Sequence, residues 1–200
     1  MTLPHRTDYT RPGAHPGRFI LGDDTHDERR NFYGRIHGKT LRASQKGYLA
    51  DDLGRFTLED VTKADNPDRL PLDVPALFGD RPLWLEVGFG GGEHLVHMAT
   101  TYPEVAIIGA EPFVNGIAML LGKIRAAGVE NLAIHPGDVR DLFEVLPDAS
   151  LSKVFLNYPD PWPKARHAKR RMMNDGPVDL IAAKLKPGGE FRFGTDHPIY

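Results

Sequence analysis

The sequence predicts an α/β fold, a doubly wound, Rossmann-like parallel sheet, and three observations predict it. Short apolar runs alternate with helical patterns from Leu83 onward, a glycine cluster follows the first apolar run, and glycine or proline punctuates the segments between. Strands that alternate with helices are joined by right-handed crossovers, which lay the strands parallel in one sheet.

Each element has a local reason. Leu83–Val87 is an apolar run of strand length that enters the glycines, and Glu93–Thr101 follows with helical spacing. Val105–Ala110 is the second strand. Val114–Ala127 is a helix closed by Gly128, whose missing Cβ suits the left-handed position past a helix end. Leu132–His135 is the third strand, and the helix Val139–Leu146 stops before Pro147. Leu151–Asn157 is the fourth strand. Pro177–Leu185 is a helix with proline in its first turn, Leu185–Gly189 a tight turn, and Glu190–Thr195 the fifth strand.

Upstream the pattern is looser. Residues 1–28, rich in Pro, Gly, His and Asp, read as a flexible arm. Residues 29–82 form a basic N-terminal segment and connector. Leu49 and Leu53 stand four apart there, and four prolines (Pro67, Pro71, Pro75, Pro82) leave room for a short helix. Residues 83–200 form the α/β domain.

Composition narrows the function classes. The chain is 40% hydrophobic and 26% charged over 200 residues, enough for a core. No apolar run approaches the ~20 residues that span a bilayer, and the N-terminus lacks a signal-peptide core. The absence of cysteine excludes disulfides, thiolate metal sites and a cysteine nucleophile. A cytoplasmic enzyme without a membrane or metal partner is expected. The net charge is −2, yet Arg29–Lys46 carries six Lys/Arg and no acid, and Lys164–Arg171 five and no acid. Such runs grip phosphates or are merely solvated faces; the run alone decides neither.

The first strand leads into Glu86-Val87-Gly88-Phe89-Gly90-Gly91-Gly92. Glycines there let the backbone turn tightly and approach a ligand. The dinucleotide pattern G-x-G-x-x-G would need glycine where Glu93 stands, and an acid two residues before the first glycine faces badly toward a pyrophosphate. A ligand with an ammonium and no phosphate fits better, as in the methionine part of S-adenosylmethionine (SAM). Enzymes of that donor carry E/D-x-G-x-G-x-G, met here by Glu86, Gly88, Gly90 and Gly92.

Glu111 ends the second strand, where one carboxylate can accept from both ribose hydroxyls of an adenosine. NAD sites share that device. After the third strand, Asp138 either reaches the adenine edge or caps the next helix, and the two roles can coexist. After the fourth strand come Asn157-Tyr158-Pro159-Asp160-Pro161-Trp162-Pro163-Lys164 and the basic run. Three prolines within five residues fix a rigid loop where a doubly wound sheet places its substrate. Trp162 either stacks on a base or braces the loop. Glu93, His94 and His97 have metal-like spacing, but without a third His or a Cys they read as helix surface.

The segment Pro159–Arg171 resembles the bacterial tRNA (guanine-N7-)-methyltransferase family, whose hallmark is P-D-P-W-x-K-x-R-H-x-K-R-R; every fixed residue is present. Glu86–Gly90, Gly109-Ala110-Glu111 and Gly194-Thr195-Asp196 match in order and spacing. The resemblance implies that Glu86, Gly88, Gly90, Glu111, Asp138 and Asp160 bind SAM and that Asp160 is also catalytic. It further implies that Lys164 and Asp196 contact substrate, and that Arg166, His167, Lys169, Arg170 and Arg171 hold tRNA. The protein is expected to be a monomer or homodimer that methylates a guanine of the variable loop.

The family continues past strand five through two further strands and a Thr-x-x-Glu motif, whereas this sequence stops at Tyr200. The expectation is a SAM-methyltransferase sheet lacking its last two strands, which binds donor and tRNA but methylates slowly, or a fragment of a longer product. Two rivals are a methyltransferase for an exocyclic amine and a non-catalytic RNA-binding subunit. The first uses adjacent prolines in its loop; here Asp160 separates Pro159 from Pro161.

Overall fold

The computed structural model describes residues 34–200. The expected arm 1–28 and the basic residues Arg29 and Arg30 lie outside the described residues. Three short helices come first: α1 (Ala43–Asp51), α2 (Leu53–Phe56) and α3 (Val74–Phe78). Then β1 (Leu83–Val87), α4 (Glu93–Thr101), β2 (Ala106–Ala110), α5 (Val114–Ala127), β3 (Leu132–His135), α6 (Val139–Val145) and β4 (Leu151–Asn157) alternate. A 3-10 helix (Ala165–Arg170), α7 (Asp175–Lys184) and β5 (Leu185–Gly194) complete the described chain.

The five strands form one parallel sheet of order β3-β2-β1-β4-β5. β1 lies at its centre, all five of its residues buried, so both faces must be covered. Leu83, Leu85 and Val87 pack with Val154, Leu156 and Leu142 on one face. Trp84 packs on the other with Phe155, Leu95 and Leu120. The strand order reverses between β1 and β2 on one side and β4 on the other. That switch point opens a crevice at the carboxyl ends, where ligands of such sheets bind.

The N-terminal connector belongs to the same core. Leu58, Val61, Leu72 and Phe78 join one apolar layer and Leu53 and Phe56 the other. Thr57 pairs in parallel with Ile134, and the Leu58 N–H donates to the Ile134 carbonyl at 2.8 Å. This pairing covers the outer edge of β3, which would otherwise present open backbone groups. Leu49 and Leu53, four apart in sequence, fall on two helices, because α1 ends at Asp51 before α2 begins.

The starts of α7 and β5 differ from the sequence expectation by two residues or more, while one end each of β2, α6, α7 and β5 shifts by a single residue. α7 starts at Asp175 rather than Pro177, which still leaves proline in the first turn, where no intrahelical N–H is needed. β5 starts at Leu185 rather than Glu190. Leu185 pairs with Leu151 and Glu190 with Lys153, so Lys186–Gly189 bulges out of the ladder with Gly188 at φ 78°. The expected tight turn is therefore an interruption within the strand. Among the described residues β5 pairs only with β4, and no described helix is long and apolar enough to cross a membrane.

His135, the last residue of β3, is 1% exposed. Its Nε2 lies 3.1 Å from the Asp138 carbonyl oxygen, and its Nδ1 has no hydrogen-bond partner among the described residues. Burial pushes its pKa down to about 4. The folded value lies below the unfolded one, so the unfolded chain binds more protons between the two and stability is lost as pH drops across that window. The loss from this ring is expected to be about 2 kcal/mol between about pH 7.5 and pH 5. Urea unfolding at both pH values should show a drop smaller by that amount in His135→Gln; equal drops would contradict the assignment.

Candidate active site

The glycine segment after β1 turns through left-handed backbone at Gly88 (φ 68°), Gly90 (φ 54°) and Gly92 (φ 79°). The Gly88 N–H donates to the Ala110 carbonyl at 2.8 Å and the Gly92 N–H to the Phe89 carbonyl at 2.9 Å. Helix α5 packs directly on this loop: a Cβ on Gly116 would stand 2.2 Å from the Gly90 carbonyl oxygen. That atom is backbone and cannot rotate away. Gly116→Ala is therefore expected to destabilise the fold by about 1–3 kcal/mol and to loosen the loop; a urea midpoint equal to the wild type would refute the contact.

Glu111, buried just past β2, ties the loop to the start of α5. Its Oε2 accepts the Gly90 N–H at 2.8 Å and its Oε1 the Phe113 N–H at 3.0 Å. Each oxygen keeps a second lone pair for a ligand hydroxyl. Burial raises its pKa, the Phe113 and Gly90 N–H groups pull the other way, and the charge of Asp160 adds to the rise. The field of Asp160 thus reaches Glu111 across the switch point.

Glu86 is 3% exposed. Its Oε2 lies 3.0 Å from His94 Nδ1, and its Oε1 accepts from Asn157 Nδ2 at 3.4 Å. The expectation that Glu93, His94 and His97 merely form a helix surface is corrected for His94. The first turn of α4 points its ring at the end of β1, while Glu93 turns outward to Lys123 at 3.1 Å. Asp138 caps α6, accepting the Arg140 N–H at 2.9 Å, and pairs with the Arg140 guanidinium. Of its two open roles, capping is the one seen. Among the described residues no group of three or more His, Asp or Glu is arranged to hold a metal ion.

The loop after β4 is braced from several sides. The Tyr158 N–H donates to the Gly194 carbonyl at 2.8 Å, and the Tyr200 hydroxyl to the Asp160 carbonyl at 2.7 Å. Tyr158 (φ 51°) and Trp162 (φ 44°) take left-handed backbone, which the surrounding contacts must hold. Arg171 donates from Nε to the Pro161 carbonyl and from Nη2 to the Trp162 carbonyl, both at 3.1 Å. The Arg170 guanidinium lies 4.9 Å from the Trp162 ring centre, and His167 packs edge-on against the same ring at 5.7 Å. Trp162 is half-buried in these contacts, as a brace would be. Asp160, Lys164, Arg166 and Lys169 are exposed. Asp196 is also exposed, two residues beyond Gly194, which pairs with Asn157.

A strap of the basic segment closes the other side. The Ile36 carbonyl accepts the Val114 N–H at 2.9 Å, and Asn115 bonds both the Gly38 N–H (2.8 Å) and the Lys39 carbonyl (2.7 Å). The backbone from Ile36 to Lys39 is thereby held at the start of α5 with Gly38 against Phe113, and Arg35, Lys39 and Arg42 along this segment are exposed. The sequence signalled a basic run but not this docking. His94 and Asn157 also escaped the sequence reading, although Asn157 left a trace as a polar residue closing an apolar strand.

Residues 80–200 match the family described as "Putative methyltransferase". A tRNA (guanine-N(7)-)-methyltransferase of Cereibacter sphaeroides is 66% identical over 171 residues, covering 86% of this chain and 71% of the relative. One of Paracoccus denitrificans is 64% identical over 178 residues, covering 88% and 76% respectively. One of Roseobacter denitrificans is 60% identical over 171 residues, covering 86% and 73%. With these matches running through the glycine loop, Glu111 and the braced loop after β4, the chain belongs to the tRNA (guanine-N7-)-methyltransferase family.

Proposed function

We propose that this chain transfers a methyl group from SAM to N7 of a guanine in the variable loop of cytoplasmic tRNA, forming 7-methylguanosine. The supporting observation is the convergence of buried Glu86, buried Glu111 and the braced Asp160 loop on one switch point, with exposed cations beside it. The residues suit the donor: Glu86 is a buried carboxylate for an ammonium, and Glu111 has lone pairs left for two ribose hydroxyls. Asp138, the cap of α6 three residues past the end of β3, stands on the adenine side of the site.

The donor supplies an electrophilic methyl on a sulfonium. Guanine N7 carries a lone pair and no proton, so the displacement needs no general base. The protein's work is alignment and electrostatic support of the cation that forms on the purine. Asp160 accepts from the guanine N1–H and exocyclic amine and holds negative charge beside the developing positive ring. Pro159, Pro161 and the two Arg171 hydrogen bonds keep that carboxylate in place. Asp196 and Lys164 complete the substrate side. A base stacked in a helix must first be exposed, which favours a loop nucleotide.

The phosphates fall to the exposed cations Lys164, Arg166 and Lys169, while Arg170 and Arg171 chiefly shape the loop. Replacing the three exposed residues with alanine is expected to reduce the salt slope of tRNA affinity by about 2. Filter binding over a salt series checks this, and an unchanged slope would make the run a solvated face. The target nucleotide is tested by reduction and aniline cleavage of tRNA methylated by the protein, which cuts at 7-methylguanosine. A cut within the variable loop is expected; a cut elsewhere would overturn that assignment.

A further inference from the structure

We infer that His94 and Asn157 are positioning residues for the methyl donor, holding the Glu86 carboxylate for the donor's ammonium. The inference rests on the donor occupying this site as proposed above.

Three elements aim polar side chains at one point. Glu86 stands near the end of β1, His94 is the second residue of α4, and Asn157 is the last residue of β4. A carboxylate 3% exposed must find its hydrogen bonds within the protein. His94 Nδ1 lies 3.0 Å from Oε2, and it donates to the carboxylate when the proton sits on Nδ1. Asn157 Nδ2 lies 3.4 Å from both Glu86 Oε1 and His94 Nδ1. With Nδ1 protonated, only the Glu86 oxygen can accept from it. Phe155 packs edge-on against the imidazole at 4.8 Å and fixes its plane.

Held by a donor on each oxygen, the Glu86 carboxylate keeps one orientation at the end of β1, where an ammonium can meet its remaining lone pairs.

The test is calorimetric binding of SAM at about pH 8 to wild type, His94→Asn, His94→Ala and Asn157→Ala. Asparagine at position 94 keeps a donor near the Nδ1 position. His94→Asn should bind within about twofold of wild type and each alanine variant about tenfold more weakly. Should His94→Ala fail to fold, Asn157→Ala decides alone. Wild-type affinity in the alanine variants would overturn the inference and leave the proposed function standing. A wild type that binds no donor would overturn both.

Discussion

Replacing Asp160 with asparagine is expected to slow methyl transfer by about 100- to 1000-fold, the scale of losing one preorganised charge at a transition state. Affinity for tRNA should stay within about twofold, because the phosphates are held by other residues. The substitution preserves shape. The backbone of Asp160 is fixed by the Tyr200 hydroxyl at 2.7 Å and its flanking prolines, and its side chain is exposed rather than part of the core. Only the charge changes, and that charge is felt as far as Glu111. Single-turnover rates at saturating donor and tRNA, beside equilibrium tRNA binding, separate the two effects. An equal loss in both would make Asp160 a binding residue. Since N7 has no proton to surrender, the wild-type rate at saturation should also be level from about pH 7 to pH 9, without the rise a general base would give.

The second large effect is expected at Glu111. Glu111→Ala removes the ribose acceptor and also strands the Gly90 and Phe113 N–H groups, which the carboxylate now satisfies at 2.8 and 3.0 Å. The loop and the start of α5 lose their shared anchor. SAM affinity should fall by about 2–3 kcal/mol, the upper range for hydrogen bonds to a charged group. Glu111→Gln should fall between alanine and wild type, since its amide offers one acceptor oxygen where the carboxylate offers two. Calorimetry with SAM measures both variants. Unchanged affinity in the alanine variant, or tight NAD binding by the wild type, would refute the role.

The sheet was legible because its signals are local. An apolar run entering glycines, a glycine after Ala127 and a proline after Leu146 mark β1, α5 and α6 to within a residue or so. The boundaries that slipped depend on contacts distant in sequence. β5 gains Leu185 only because Leu151 lies beside it, and no pattern within Leu185–Gly189 announces that pairing. The placement of Glu86, Glu111 and Asp160 was legible too, since strand ends bring them to one crevice whatever the details.

Their partners were not. A basic run reads alike whether its arginines face phosphate or fold back, and only the structure shows Arg171 bonded to two loop carbonyls. His94 was masked for a similar reason. Periodicity says that α4 is amphipathic but not that its first turn overhangs the end of β1. That placement depends on the left-handed Gly92 just before it.

The central claim is that these carboxylates and cations serve methylation of guanine N7, and one measurement tests it most directly. Unmodified tRNA is incubated with the protein and SAM carrying a deuterated methyl group, digested to nucleosides and analysed by mass spectrometry. The label is expected in 7-methylguanosine alone, with the signal largely lost in Asp160→Asn. Label in any other nucleoside, or in none, would contradict the claim.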